Sequence, residues 1–288
     1  METYLNLVDK ILTEGKKKRT RTGIDKIVIF GEDINHNMSK GFPILTTKKM
    51  YTNAIFVELE GFIKGLTDKK WYQERKCNIW NEWCNPAKVP YGHDEGTKIR
   101  MKEERDLGPI YGFQWRHFGA EYNGYDFDYT GKGFDQLKDI VQKLKSEPDS
   151  TRMIVNAWSP LQLNQMALPP CHYSFTVNVI DNKLHLSWKQ RSVDTMLGLP
   201  FNIASYATLL KLLAKESGFK EGNLIGHLED LHIYINHIDK AREQLKRKPY
   251  PLPEVEITNF SSIFNWTHQQ TNLINYHYHP KIEFPIAV

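Results

Sequence analysis

The sequence predicts an α+β fold in which a mixed β-sheet is covered by helices. Two runs with strand character, residues 173–180 and 183–188, flank the pair Asp181-Asn182, which is a typical hairpin turn sequence. Helical patterns occur between and after the predicted strands, so that the two element types are interleaved along the chain. This order and the antiparallel hairpin favour a mixed sheet over a purely parallel one.

The N-terminal segment and two short runs supply further elements of this fold. Apolar residues recur at helical spacing among charged ones, which predicts an amphipathic helix rather than a signal peptide: Tyr4, Leu5, Val8, Ile11 and Leu12. Residues 26–30 and 153–158 are rich in β-favouring side chains and are predicted to be strands.

Two longer helices are predicted in the second half of the chain. The first covers residues 203–216 and is closed by Gly218, and the second covers residues 233–246 and is followed by Pro249. No repeat, low-complexity linker or change of composition divides the chain, so residues 1–288 are interpreted as a single domain. A charged segment at about 86–106 is interpreted as a surface excursion of that domain.

The composition is that of an ordinary globular protein, with 40% hydrophobic and 25% charged residues. No apolar run is long enough to cross a bilayer, so no membrane contact and a cytoplasmic location are predicted. The three cysteines, Cys77, Cys84 and Cys171, form neither a disulfide framework nor a metal knuckle, which fits a reducing compartment. His277 and His279 alternate without a third ligand at suitable spacing, so no metal is predicted.

The basic run at residues 16–21 admits three interpretations: a solvated face, a nucleic-acid patch or a phosphate-binding loop. The net charge of +4 is too small to indicate nucleic-acid binding by itself, and such a partner is not expected. Charge alone favours the solvated face.

Cys171 lies at the centre of three sequence blocks that carry the functional signal. These are Leu-Pro-Pro-Cys-His at 168–172, Gln-Arg-Ser-Val-Asp at 190–194 and Gly-Leu-Pro-Phe-Asn-Ile-Ala-Ser-Tyr at 198–206. A lone cysteine is more often inert core than nucleophile, but two prolines fix the backbone before this one. Together the blocks resemble those of thymidylate synthases. Further blocks follow the family's order: Arg-Thr-Gly at 21–23, Gly-Phe-Pro-Ile-Leu-Thr-Thr-Lys at 41–48 and Pro-Ile-Ala-Val at 285–288.

The resemblance implies a large twisted sheet, a homodimer and the reductive methylation of dUMP to dTMP. The methyl donor would be 5,10-methylenetetrahydrofolate, which leaves as dihydrofolate. The Cys171 thiolate would add to C6 of uracil, with Arg191 supplying positive potential and Arg152 donated across the dimer interface. Thr151 departs from the family, in which two consecutive arginines are common at this place, and Glu229 replaces a usual glycine.

The resemblance assigns three overlapping sets of residues. The expected catalytic residues are Cys171, Glu58, Asn202, His172, Tyr111 and Arg191. The expected dUMP-binding residues are Arg21, Arg152, Gln190, Arg191, Ser192, Asp194, Asn202, His232 and Tyr234. The expected folate-binding residues are Ile79, Trp80, Trp83, Asp194, Gly198, Phe201, Ala287 and Val288, of which the last two would close over the folate as a lid.

Two of these assignments also have arguments from residue chemistry. An amide at Asn202 can donate to O4 and accept from N3–H of uracil at once; the alternative is that Asn202 caps a helix that begins at Ile203, and the two roles are compatible. Glu58 is a carboxylate inside an apolar stretch, where an acid is rare without a task. By resemblance, it would move protons around O4 and the folate nitrogen.

Two other activities remain open at this point. A dUMP 5-hydroxymethylase shares every step up to the exocyclic methylene and then adds water instead of hydride; Trp80, which matches an indole that shields this methylene, favours methylation. A non-catalytic nucleotide- or RNA-binding relative would suit the basic run at 16–21. The presence of Cys171, Glu58 and Asn202 together argues against it.

Overall fold

The structure is a computed structural model that describes residues 1–20 and 23–286. Its contacts divide the chain into two units. The sheet unit consists of Met1–Tyr51, Val179–Asn259 and Gln269–Val288, and the helical unit consists of Thr52–Asn178 and Phe260–His268.

The α-helices and strands of the described residues are interleaved along the chain in groups. The helices are α1 (Glu2–Glu14), α2 (Thr52–Ile63), α3 (Lys69–Glu74), α4 (Glu95–Glu103), α5 (Tyr111–His117), α6 (Gln136–Ser146), α7 (Gly198–Ser217) and α8 (Ile238–Leu245). The strands are β1 (Lys16–Lys18), β2 (Lys26–Asn37), β3 (Ile154–Asn156), β4 (His172–Ile180), β5 (Lys183–Asp194), β6 (Lys220–Tyr234), β7 (Glu254–Ile257) and β8 (Thr271–Ile274). Helices α2 to α6 come in succession and are followed by β3 to β5.

The sheet unit is built around β6. This strand pairs antiparallel with β2 on one side and parallel with β5 on the other, and β1 extends the sheet beyond β2. Helices α1 and α7 pack against these strands, and β7 and β8 form a separate antiparallel pair. The predicted α+β class, with a mixed sheet covered by helices, is confirmed.

Alternation along β5 explains how α7 is held against the sheet. Leu184, Leu186, Trp188 and Gln190 occupy every second position and are buried, whereas their neighbours are more exposed. Gly226 of β6 lies opposite Trp188, and a Cβ atom at this glycine would stand 2.4 Å from the indole ring. The absence of a side chain there makes room for the indole.

Two local predictions about chain reversal are confirmed. Asp181 and Asn182 link β4 to β5 with φ angles of 50° and 56°, the left-handed values that a two-residue hairpin turn of type I′ requires. Helix α7 ends at Gly218, whose φ of 80° is the left-handed conformation expected after a helix.

The helical unit is organised by the buried helix α2. All its residues from Ala54 to Ile63 are buried, and α5 packs against it. Gly112 of α5 permits this approach, because a Cβ atom there would lie 2.7 Å from the Phe62 backbone. Helix α6 packs on α5 and β3, and β3 pairs antiparallel with β4.

Several predicted boundaries are wrong. The helix predicted at 203–216 begins earlier, at Gly198, because Pro200 is tolerated in the first turn of a helix. The helix predicted at 233–246 begins only at Ile238, because β6 continues to Tyr234 and its pairing with β2 holds the chain extended. Strand β2 runs on to Asn37, and β3 is shorter than predicted.

The charged segment at 86–106 is largely exposed and contains helix α4. Asp106 at its end is fully buried and forms an ion pair with Lys88.

Among the described residues, none of the helices combines the length and hydropathy that a membrane span requires. The single catalytic domain stays a prediction.

Candidate active site

Cys171 immediately precedes β4 in the helical unit. Its backbone N–H donates a hydrogen bond of 2.8 Å to the hydroxyl oxygen of the buried Tyr111, the first residue of α5. Cys171 is a partly exposed residue, whereas Cys77 and Cys84 are buried. Burial raises the pKa of Cys77 to about 12. Cys171 is therefore the thiol best placed to meet a substrate.

Tyr111 is the centre of an aromatic stack beside this thiol. Its ring centroid lies 4.9 Å from that of Phe62 and 4.3 Å from that of His172, and both pairs are nearly parallel. Burial lowers the pKa of His172 to about 3. At neutral pH the imidazole is therefore uncharged and binds a proton poorly.

Glu58 lies on α2 and is buried among apolar residues. Burial raises the pKa of its carboxyl group to about 7. The indole N–H of Trp80 opposes this shift, although it does not reach hydrogen-bonding geometry with any described residue. A carboxyl group that titrates near neutral pH can both take up and release a proton under physiological conditions.

The expected folate wall lies in the segment after α3. Trp80 is buried and meets Phe62 and Tyr111 edge to face, with centroid distances of 6.4 and 6.1 Å. Ile79 and Trp83 are half-buried. Trp80 thus belongs to the aromatic group around Tyr111.

Arg152 precedes β3, and both it and Thr151 are exposed. An exposed arginine is available to an anionic ligand or to a second chain.

The sheet unit holds Asn202 and Gln190 in one hydrogen-bonded chain. Gln190 Nε2 donates to Asn202 Oδ1 at 3.0 Å and to the Ser192 carbonyl oxygen at 3.1 Å. Trp188 Nε1 in turn donates to Gln190 Oε1 at 3.1 Å. Asn202 lies inside α7, in its second turn, so the alternative of a helix cap at this residue is wrong: the helix begins at Gly198.

Asp194 ends β5 and shapes the turn that leads into α7. Its Oδ1 atom accepts hydrogen bonds from the backbone N–H groups of Met196 and Leu197, at 3.1 and 3.0 Å. Its carboxylate also interacts with Lys48, whose amine donates a hydrogen bond to the Met196 carbonyl oxygen. Burial lowers the pKa of Lys48 to about 8.

His232 and Tyr234 lie on β6 two residues apart, so both side chains are on the same face of the strand. Their rings meet edge to face at 5.2 Å, and His232 Nδ1 lies 2.9 Å from Asp230 Oδ1. Burial would raise the pKa of Asp230, but hydrogen bonds with His232, Lys18 and Lys26 outweigh it and hold this pKa well below its usual range. The ring of His232 is thereby fixed in place.

The remaining expected residues of the sheet unit are half-buried: Arg191, Ser192, Gly198 and Phe201. Arg21, Ala287 and Val288 lie outside the described residues, so the phosphate loop and the lid are not described.

The structure thus brings together Cys171, Tyr111, His172 and Trp80 in the helical unit, and Gln190 and Asn202 in the sheet unit. Two residues of these groups were not predicted from the sequence: Phe62, which stacks on Tyr111, and Trp188, which donates a hydrogen bond to Gln190. Trp188 could have been predicted, because the alternation of side chains along a strand places it on the same face as Gln190.

Within the described parts of the chain, no three or more His, Cys, Asp or Glu side chains are grouped so as to hold a metal ion. The expectation of a metal-free site stays a prediction.

Comparison with known proteins identifies the family. Residues 2–288 match the thymidylate synthase family. A bifunctional dihydrofolate reductase-thymidylate synthase of Paramecium tetraurelia is 42% identical over 99% of this chain and 61% of its own length. One of Zea mays is 42% identical over 99% of this chain and 54% of its own length. A putative bifunctional dihydrofolate reductase-thymidylate synthase of Oryza sativa subsp. japonica is 41% identical over 99% of this chain and 57% of its own length.

The chain spans little more than half the length of these relatives. The match over residues 2–288 nevertheless includes every block around Cys171, Asn202 and Glu58. The chain belongs to the thymidylate synthase family.

Proposed function

We propose that this protein methylates dUMP to dTMP with 5,10-methylenetetrahydrofolate and releases dihydrofolate. The observation that carries the proposal is the partly exposed Cys171, in a chain that belongs to the thymidylate synthase family. The carbon to be methylated, C5 of uracil, becomes nucleophilic only after a thiolate has added to C6.

The reaction begins when the Cys171 sulfur forms a bond to C6 and the electron pair of the C5–C6 double bond moves to the O4 enolate. The bond from the methylene carbon of the folate to N10 breaks, and C5 forms a bond to that carbon, which stays attached to N5 until tetrahydrofolate departs. Loss of the C5 proton and departure of tetrahydrofolate leave an exocyclic methylene, which accepts a hydride from the tetrahydrofolate. Elimination of Cys171 completes dTMP, and the folate, having lost the hydride, is dihydrofolate.

Negative charge on O4 needs donors fixed before the reaction. The family chemistry assigns this role to Asn202, and the hydrogen bond from Gln190 supports it by fixing the amide. Glu58 is proposed to exchange protons with O4 and the folate nitrogen through water, which a pKa near 7 supports.

Tyr111 and His172 are proposed to assist removal of the C5 proton. The low pKa of His172 argues against a charged imidazolium, so its part is that of a neutral hydrogen-bonding group. Tyr111 also holds the Cys171 backbone through its hydroxyl group.

The partners and the location are proposed on the same basis. Phosphate would be bound by Arg21, Arg191, Ser192 and, from a second copy of the chain, the exposed Arg152. The 3′-hydroxyl group would be bound by His232 and Tyr234. The protein is proposed to act as a cytoplasmic homodimer.

One assay tests the proposal. The protein is incubated with methylenetetrahydrofolate and either dUMP or dCMP, the nucleotide product is identified by mass, and dihydrofolate is followed by absorbance. We expect dTMP and dihydrofolate in equal amounts from dUMP. The 5-hydroxymethyl nucleotide without dihydrofolate would assign a hydroxymethylase instead, and nucleotide binding without any product would assign the non-catalytic relative.

A further inference from the structure

We propose that Trp188 sets the orientation of the Asn202 amide and thereby the preference for uracil over cytosine. The inference rests on the proposed function, because it concerns the edge of the pyrimidine that Asn202 would meet. It adds a positioning residue that does not itself touch the substrate.

The hydrogen-bond chain has only one consistent direction. An indole N–H can only donate, so the Gln190 atom that meets Trp188 Nε1 at 3.1 Å must be the amide oxygen. A backbone carbonyl can only accept, so the Gln190 atom that meets the Ser192 carbonyl oxygen at 3.1 Å must be the amide nitrogen. Both atoms of the Gln190 amide are therefore assigned, one by a group that can only donate and the other by a group that can only accept.

This assignment passes to Asn202. Gln190 Nε2 donates to Asn202 at 3.0 Å, so the Asn202 atom on that side must be its oxygen, Oδ1. Nδ2 is then the donor that Asn202 can offer to a pyrimidine, and Oδ1 keeps a second lone pair. Uracil carries an acceptor, O4, where cytosine carries an amino donor. The orientation that Trp188 imposes together with the Ser192 carbonyl therefore matches uracil, and the reversed amide would match cytosine.

Packing prevents the indole from leaving this position. Trp188 is fully buried, and its ring lies parallel to that of Tyr206, with centroids 5.2 Å apart and an angle of 8°. Tyr206 follows Asn202 by one turn of α7, and the missing side chain of Gly226 makes room for the indole, because a Cβ atom there would lie 2.4 Å from the ring. Strand β5 and helix α7 thus hold both ends of the hydrogen-bond chain.

The variant Trp188→Phe tests the inference, because it keeps an aromatic ring against Tyr206 and removes the N–H donor. The dissociation constants of dUMP and dCMP are measured by calorimetry, together with the ratio of their kcat/KM values. We expect the preference for dUMP to fall by about tenfold, since loss of one oriented hydrogen bond has this order of effect. An unchanged ratio in a folded variant would overturn the inference.

A control and a second variant separate orientation from packing. Trp266 is equally buried but belongs to the helical unit, so Trp266→Phe should leave the ratio unchanged even where it lowers the melting temperature. If Trp188→Phe does not fold, benzothienylalanine placed at position 188 replaces only the N–H by sulfur. It should give the same loss of preference, and a wild-type ratio would overturn the inference.

A double variant gives a sharper test. In the Asn202→Asp background the carboxylate has two equivalent oxygens, so turning it over does not change which groups it presents to the pyrimidine. Trp188→Phe should then leave the dUMP to dCMP ratio of that background unchanged, and an equal fall in both backgrounds would overturn the inference. A wild-type protein without activity on dUMP would instead overturn the proposed function, and the binding ratio would still test the effect of Trp188.

Discussion

At the scale of single residues, burial separates groups of the same chemical type. Of three cysteines only Cys171 is partly exposed, and its backbone is anchored by Tyr111. Burial raises the pKa of Glu58 to about 7, so its carboxyl group can exchange protons near neutral pH. Position in the fold, rather than residue type, decides which groups can perform chemistry.

Cys171→Ser should abolish turnover, a loss on the order of a thousandfold or more, while dUMP binding is nearly retained. A serine hydroxyl is not ionised near neutral pH, and its alkoxide is not available to add to C6. Turnover and dUMP binding are measured side by side. Cys77→Ser serves as the control, because this thiol is buried against the Ala54 carbonyl oxygen, and it should stay active. Substantial dTMP from Cys171→Ser would refute the nucleophile assignment.

Glu58→Gln should stabilise the folded protein at pH 8 but not at pH 5. In the unfolded chain the carboxyl ionises above its ordinary pKa of 4.5, whereas in the fold it ionises only above about 7. Wild-type stability therefore falls as pH rises through this window, by on the order of 2–3 kcal/mol, and the glutamine removes this loss. Urea unfolding of both proteins at pH 5 and pH 8 measures this difference in the free energy of unfolding.

Glu14→Gln, the same substitution at an exposed position of α1, is the matched control and should change the free energy of unfolding little. Activity of Glu58→Gln should be strongly reduced at every pH, since an amide cannot exchange protons in this role. Equal stability of Glu58→Gln and wild type at pH 8 would contradict the burial argument.

The family could be inferred from the sequence, and Cys171 could be proposed as the nucleophile, because the blocks around Cys171 and Asn202 are contiguous motifs. The contacts that orient these residues could not. Trp188 reaches Gln190 along one strand face, and Phe62 reaches Tyr111 only after α2 and α5 have packed. Such contacts depend on tertiary structure, which a short motif does not contain.

At the scale of elements, the meeting of β5, β6 and α7 determines the geometry around Asn202. Gly226 contributes to this geometry, since its missing side chain accommodates the Trp188 indole. The same strand pairing places Asp194 opposite His232.

Gly226→Ala should destabilise the protein by on the order of 1–3 kcal/mol, because a Cβ atom would overlap a buried, rigid ring. If Trp188 is displaced, the preference for dUMP should fall as well. Gly96→Ala is the control: this glycine lies on helix α4, its added Cβ meets nothing closer than 3.4 Å, and alanine is the better helix former. Thermal unfolding and the dUMP to dCMP ratio are measured for both. A Gly226→Ala variant as stable as wild type would contradict this packing.

Element boundaries show where local sequence signals are insufficient. The hairpin at Asp181-Asn182 and the end of α7 at Gly218 were predicted because both need left-handed backbone, which these residues favour. The start of α8 was placed too early because Ile233 and Tyr234 also fit a helical pattern. Pairing of β6 with β2 overrides that pattern, and only the folded sheet contains this information.

At the scale of the whole molecule, the proposed homodimer gives the exposed Arg152 a function. If this arginine completes the phosphate site of a second copy, each site contains Cys171 from one chain and Arg152 from the other. A monomer would then be inactive although correctly folded.

Two inactive variants, Cys171→Ser and Arg152→Glu, should complement each other when mixed. A mixed dimer carries both lesions in one site and leaves the other intact, so random reassociation should restore up to roughly a quarter of wild-type activity. Arg152→Glu alone should fail, because a carboxylate then faces the phosphate dianion. Lys138→Glu, at another exposed cation, is the charge-matched control and should remain active. No recovery in a sample shown by tagged-subunit capture to contain mixed dimers would mean that the sites are not shared.

The most direct test of the proposed function is the product formed by the wild-type protein from dUMP and methylenetetrahydrofolate. Mass analysis of the nucleotide and absorbance of the folate are followed in the same reaction, with Cys171→Ser as the blank. We expect dTMP and dihydrofolate in a one-to-one ratio, because the methylene is reduced by hydride from the folate itself. Formation of 5-hydroxymethyl-dUMP without dihydrofolate, or of no product, would contradict the account.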